Sequence, residues 1–125
     1  MIQVQSKLKV ADNSGARQVL CIRILKKSRA TTGGVGDIIT VAVQKTRPHK
    51  RVKKKDIRIA VIVRVKQPRQ SDNGFKLSFN ENSCVLVADA KDLTPLGTRL
   101  AGPIAVRELR KAKAMKCVLL SNHAI

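Results

Sequence analysis

The apolar residues of this chain come in short, β-branched bursts separated by turn signals, a pattern that favours sheet over helix. Lys7–Val10 alternates and stops at Asp12-Asn13-Ser14-Gly15. Residues 18–25 read Gln-Val-Leu-Cys-Ile-Arg-Ile-Leu, a strand buried over much of its length, broken by Thr31-Thr32-Gly33-Gly34. Residues 37–44 form another strand around Ile-Ile-Thr-Val-Ala-Val. In 57–65, Ile59, Val61, Val63 and Val65 share one face, and Arg58, Ala60, Ile62 and Arg64 share the other. Ser71-Asp72-Asn73-Gly74 contains Asn-Gly, a strong hairpin signal, and two further strands are predicted at 76–79 and 84–88. From Val106 the pattern changes. Residues 107–115 are good helix formers behind Gly102-Pro103, and they predict one short helix. Six or so strands without long intervening helices predict an all-β core. Closing the sheet into a small barrel removes its exposed edges, and the helix would pack outside.

At 125 residues the chain is one domain, and 43% apolar residues suffice for one core. Aromatics are only 2%, so the core must be aliphatic. The same scarcity argues against readers that stack bases on rows of rings. Cys21, Cys84 and Cys117 are odd in number and lack a Cys-x-x-Cys pair. Cys21 and Cys84 sit in apolar runs and read as small buried hydrophobes in a reducing compartment. No apolar run reaches the roughly 18 residues of a membrane span. No signal peptide or arginine-rich presequence precedes the domain, so any targeting segment is expected to be absent or already removed.

Charge decides the partner class. Lys and Arg total 26 against 8 acids, a net charge of +18. That charge repels itself unless a polyanion neutralises it; nucleic acid is the commonest and an anionic membrane surface second. It also exceeds the magnitude of roughly 2–8 that solubility alone requires. The charge is clustered. Between residues 45 and 58 lie eight basic side chains and one acid, Asp56. Pro48 breaks the strand pattern there, so the segment is a loop between two strands. Alone it would be disordered, and it would order against phosphates. Arg47 and Arg51 can fork onto phosphate oxygens, while Lys45, Lys50, Lys53, Lys54 and Lys55 supply point charges. The bland alternative is a solvated loop. Arg64, Lys66 and Arg69 form a second cluster. Arg107, Arg110 and Lys111 form a third, with Lys113 and Lys116; on a continuous helix the first three would share a face with Ala114. That face could meet RNA, a protein partner or only solvent.

Nothing points to catalysis. The acids are scattered, and the nearest pair, Asp89 and Asp92, lies in a loop without an implied pocket. His49 and His123 have no Cys or Asp at ligand spacing, so no metal or cofactor is expected. Gly33-Gly34-Val35-Gly36 lacks the Gly-Lys-Ser/Thr ending of a phosphate-binding loop, precedes a strand, and reads as a turn.

Taken together, these signals resemble a known family. Ala60-Val61-Ile62-Val63, nine residues, Asn73-Gly74, four residues, Phe79, two residues, Asn82, two residues and Val85-Leu86 is similar to the signature of the L-fourteen family of large-subunit ribosomal proteins. Four other stretches agree in order: 10–16, 35–39, Gly97-Thr98-Arg99 with Gly102-Pro103, and Arg107-Glu108-Leu109-Arg110. The resemblance covers essentially the whole chain. It implies a five-stranded antiparallel barrel with a protruding basic β-ribbon or loop (1–103) and short C-terminal helices (104–125). It implies a structural constituent of the large subunit that binds large-subunit ribosomal RNA and neighbouring large-subunit proteins. It places such a protein at the subunit interface, where it touches small-subunit RNA in an intersubunit bridge. In bacteria and organelles the exposed face resembles the docking site of a ribosome-silencing factor. By position, Asn13, Ser14, Gly15 and Arg17 match the family's early turn beside RNA, and Thr98 and Arg99 match the interface segment. Ala101 stands where an aromatic is usual, Ile104-Ala105-Val106 is one residue longer than the common bacterial spacing, and Asn122-His123-Ala124-Ile125 replaces the usual ending. These departures favour the mitochondrial matrix over a bacterial-type cytoplasm. The competing readings are a free-standing RNA-binding barrel, acting as a translation factor or RNA chaperone, and a protein–protein adaptor. Scarce aromatics weigh against the first, and the charge weighs against the second.

Overall fold

The structure is a computed structural model, and it describes residues 1–25, 31–70 and 72–125. In chain order the strands are β1 (Lys7–Val10), β2 (Ala16–Ile24), β3 (Ile38–Thr46), β4 (Ile57–Arg64), β5 (Arg69–Gln70), β6 (Lys76–Leu77), β7 (Ser83–Val87), β8 (Leu100–Ile104) and β9 (Ser121–Ala124). Helices α1 (Val106–Lys111) and α2 (Met115–Leu119) lie between β8 and β9.

Five strands close a barrel in the order β1-β2-β3-β4-β7. Four of its seams are antiparallel, but β1 pairs β7 in parallel, Lys9 opposite Ser83 and Val10 opposite Cys84. The barrel is therefore mixed rather than wholly antiparallel. Its lumen is filled by aliphatic side chains, among them Leu8, Val19, Ile39, Val41, Ile62 and Leu86, with Cys21 and Cys84. A second core lies outside the wall. Val61, Val63, Val85 and Val87 meet Leu100, Ile104, Leu109 and Cys117 of the C-terminal segment. Strands β4 and β7 are thus buried on both faces, which explains their nearly continuous apolar sequence.

Burial raises the Cys21 and Cys84 thiols, and raises Cys117 to about 11. All three are free and buried, so they fill space as small hydrophobes.

Several expectations need correction. The Asn-Gly hairpin is present as β5–β6, with Gly74 at φ +83°, but Ser71 of that turn cluster lies outside the described residues. The one helix expected from the residue pattern is two, in agreement with the short C-terminal helices that the family resemblance implied. Lys113 has φ +62°, and the chain turns there so that Ala114 and Cys117 can enter the outer core. Ala114 therefore does not share the α1 face with Arg107, Arg110 and Lys111. The chain end is also not wholly helical, because β9 returns to pair in parallel with β8. Val65 does not continue the row of Val61 and Val63. An irregularity between Ile62 and Arg64 shifts the register, and Val65 joins the lumen core.

Candidate nucleic-acid interface

Strand direction collects the loops at two ends. β1, β3 and β7 run toward one end; β2 and β4 run away from it. The first end therefore gathers the β1–β2 turn, the β3–β4 loop and the exit of β7. The opposite end holds the β2–β3 connection, the β5–β6 hairpin and α1, whose Glu108 carbonyl lies beside Gly36.

The β3–β4 loop is tied to the barrel by contacts that its charge pattern did not announce. Val52 is 1% exposed and inserted into the lumen core. The Lys55 amide donates to the Val43 carbonyl at 2.8 Å, and the Val43 amide donates to the Asp56 carbonyl at 2.9 Å. Asp56 also accepts from the Lys53 amide at 3.0 Å. With the backbone held, Lys45, Arg47, Lys50, Arg51, Lys53, Lys54 and Lys55 all point to solvent. Fixed cations of one sign, with only Asp56 among them, form a concentrated positive field.

The β1–β2 turn packs against this loop. The Arg47 amide donates to the Gly15 carbonyl at 2.8 Å. Gly15 has φ +115°, and a Cβ there would lie 2.3 Å from the Lys50 Cβ. Only glycine fits, so the turn and the loop approach closely enough to act as one surface. On the other side, Asn13 Oδ1 accepts from the Thr98 and Arg99 amides at 2.7 and 3.3 Å, and Asn13 Nδ2 donates to Thr98 Oγ1 at 2.9 Å. The early turn thus links the basic loop to the Thr98-Arg99 segment. Arg17, exposed on β2, adds a further cation.

Two predicted polar residues are buried and not displayed on this surface. Ser14 is 6% exposed, and its hydroxyl donates to Asp12 Oδ1 at 2.6 Å. Arg64 is also 6% exposed. Its Nη1 donates to the carbonyls of Ala101 (2.7 Å) and Pro103 (3.2 Å), and its Nη2 to Ser83 Oγ (3.1 Å) and Glu81 Oε1 (3.3 Å). Desolvation lowers the guanidinium pKa, against the opposing pull of Glu81. Arg64 is a structural strut that pins β8 to the barrel, with both Nη atoms occupied by acceptors of the protein. Its neighbours on the chain, Lys66 and Arg69, are exposed.

The third cluster is partly neutralised. Arg107 meets Asp72 at 2.9 Å and Lys111 meets the same carboxylate at 3.6 Å, while Arg110 is exposed. The role of Asp72 was not legible, because hairpin and helix are far apart in sequence. Asp12 was also missed. Its carboxylate accepts from Ser14 and, through Oδ2, from the Leu86 amide at 3.1 Å, bracing the turn on β7. Burial raises its pKa, and the Ser14 and Leu86 hydrogen bonds oppose the rise. The Asp-x-Ser spacing was the available signal, since such side chains bond to backbone two residues on.

Glu81 behaves oppositely. Its ion pair with Lys9, at 2.7 Å, is the largest cause holding its carboxyl below the usual range, and Arg64 adds to it. A depressed folded-state value contributes stability above the unfolded carboxylate pKa and loses it as pH falls through the folded value; the raised Asp12 has the reverse sign. Glu81→Gln should therefore be less stable than the wild type at pH 7. The gap in melting temperature should narrow between about pH 5 and pH 3. A gap that stays constant with pH would remove Glu81 from the acid response.

Among the described residues no group of three or more His, Cys, Asp or Glu side chains could hold a metal ion, and none of their helices is long and apolar enough to cross a membrane. A family model described as ribosomal protein L14p/L23e matches residues 1–125. With its closed barrel and its cation-rich loop end, the chain belongs to the ribosomal protein L14p/L23e family and is on that ground a structural constituent of the large ribosomal subunit.

Proposed function

We propose that the protein binds large-subunit ribosomal RNA through the loop end of its barrel, in a structural and not a catalytic role. The observation that carries this reading is the convergence of three sequence-distant segments at that end. The β1–β2 turn, the β3–β4 loop and Thr98-Arg99 are tied together by the Arg47–Gly15 backbone hydrogen bond and by the Asn13 side chain, and with the adjoining strand ends they display Arg17, Lys45, Arg47, Lys50, Arg51, Lys53, Lys54, Lys55 and Arg99. Phosphates are the ligand that such fixed cations suit. Lys66, Arg69 and Arg110 are exposed elsewhere and extend the contact to further RNA or to neighbouring large-subunit proteins.

The finer assignment rests on the family resemblance. The exposed Thr98 and Arg99 face the small subunit and contribute to an intersubunit bridge with its RNA. A ribosome-silencing factor docks on the same exposed side. The departures at Ala101, at Ile104-Ala105-Val106 and at the chain end support a mitochondrial ribosome over one in a bacterial-type cytoplasm.

Replacing Lys53, Lys54 and Lys55 together by Ala tests the clamp. Binding to large-subunit RNA should weaken, and the dependence of log K on log salt should become shallower by roughly 0.7–0.9 for each lost contact. An unchanged slope would show that the loop is not the clamp. Loss of the wild-type chain from large subunits at modest salt in a sucrose gradient would instead favour an exchanging translation factor or RNA chaperone.

A further inference from the structure

Phe75 is one of only two aromatic residues in the chain, and it is 74% exposed at the turn of the β5–β6 hairpin. The other, Phe79, is half-buried in a groove of about 410 Å³ beside Val65 and Leu77. An isolated exposed aromatic carries little meaning by itself. Three neighbouring features give this one a direction. A Cβ on the adjacent Gly74 would meet nothing within 4 Å, so the tip stands clear of the barrel. Lys76 and Arg69, in the two strands of the hairpin, are exposed. Asp72, the tip's acid, is already engaged by Arg107 and Lys111, which both neutralises it and moors the hairpin to α1.

We infer that Phe75 is a stacking platform for an unpaired nucleobase of the RNA, with Lys76 and Arg69 on the flanking phosphates. This rests on the RNA-binding reading above and adds to it a second contact, at the end of the barrel opposite the basic loop. A ring standing clear of the protein can take the face of a flipped-out base, and flanking cations suit the backbone that carries it. An apolar pocket on a partner protein would also accept the ring, but it gains nothing from the two cations.

The chain has no Trp or Tyr, so Phe75→Trp creates a single fluorophore at the tip. Titrating that variant with deproteinised large-subunit ribosomal RNA should quench its emission saturably. Phe75→Ala and Phe75→Leu should both weaken binding about 5- to 150-fold while leaving the salt slope of the wild type unchanged, because stacking releases no counterions. Unchanged emission, or full binding by Phe75→Leu, overturns the inference; a blue shift without quenching in assembled subunits would assign the ring to a protein pocket. The two readings fail separately. If the wild type binds RNA with a steep salt slope and the Trp emission does not respond, only the stacking platform is lost. If the wild type does not bind at all, the RNA reading falls with it.

Discussion

Arg64→Met is expected to lower the melting temperature by roughly 10–20 °C, from a loss of about 3–5 kcal/mol for breaking a buried charged network. The reason lies in what the guanidinium holds. It binds two carbonyls of β8, one hydroxyl of β7 and the carboxylate of Glu81. Gly102, at φ +81°, lets it approach, since a Cβ there would lie 2.2 Å from Nη1. Methionine fills similar volume but leaves the Ala101 and Pro103 carbonyls without this donor. Arg64→Lys should be intermediate, because one ammonium cannot span the fork. Thermal unfolding followed by far-ultraviolet circular dichroism measures both. The same variants separate strut from RNA contact. If Arg64 is a strut, the folded variant keeps the wild-type salt slope for RNA; a slope shallower by about 0.7–0.9 would return Arg64 to the binding surface.

Gly15→Ala should weaken RNA binding although it removes no charge. The substitution forces a side chain into φ +115°, at a cost of about 1–3 kcal/mol, and drives its Cβ against Lys50. The relief available is movement of the basic loop, which separates Lys50 and Arg47 from the β1–β2 turn. Salt titration should show a shallower slope at unchanged net charge, together with a lower melting temperature. Gly74→Ala is the control. It carries a similar positive φ but meets no atom within 4 Å, so it should cost stability without changing the slope. If Gly15→Ala keeps the wild-type slope, the turn does not position the loop.

The barrel was legible because its strands advertise themselves. β1 was found to the residue, and β3, β4 and β7 to within two residues at each end, since each is a β-branched run flanked by turn residues. β8 and β9 were not legible. Leu100–Ile104 contains Gly102-Pro103, which reads as a break, and Ser121–Ala124 is a strand only by virtue of its partner. The split of the helix was hidden for a related reason. Its sequence is all good helix formers, and tertiary burial of Ala114 and Cys117 overrides that preference. In the site, the sign and place of the basic loop could be read, but its order could not. One apolar residue, Val52, anchors it within a run of cations. The burial of Arg64 could not be read either. Its β4 strand is covered on both faces, and a period-two pattern cannot reveal the second cover.

The parallel seam between β1 and β7 sets the order in which such a chain can mature. Lys9 and Val10 find Ser83 and Cys84 only after more than 70 intervening residues have been made. Until then β1 and β4 are open edges on a nascent sheet. Contacts so distant in sequence slow folding, because loop closure precedes any stabilising contact across the seam. A cationic chain waiting in that state, among the nucleic acids of the compartment that makes it, is exposed to both mispairing and premature capture. Ring closure is therefore the step at which a chaperone that shields edges or charge would have most effect on the yield of assembled subunits.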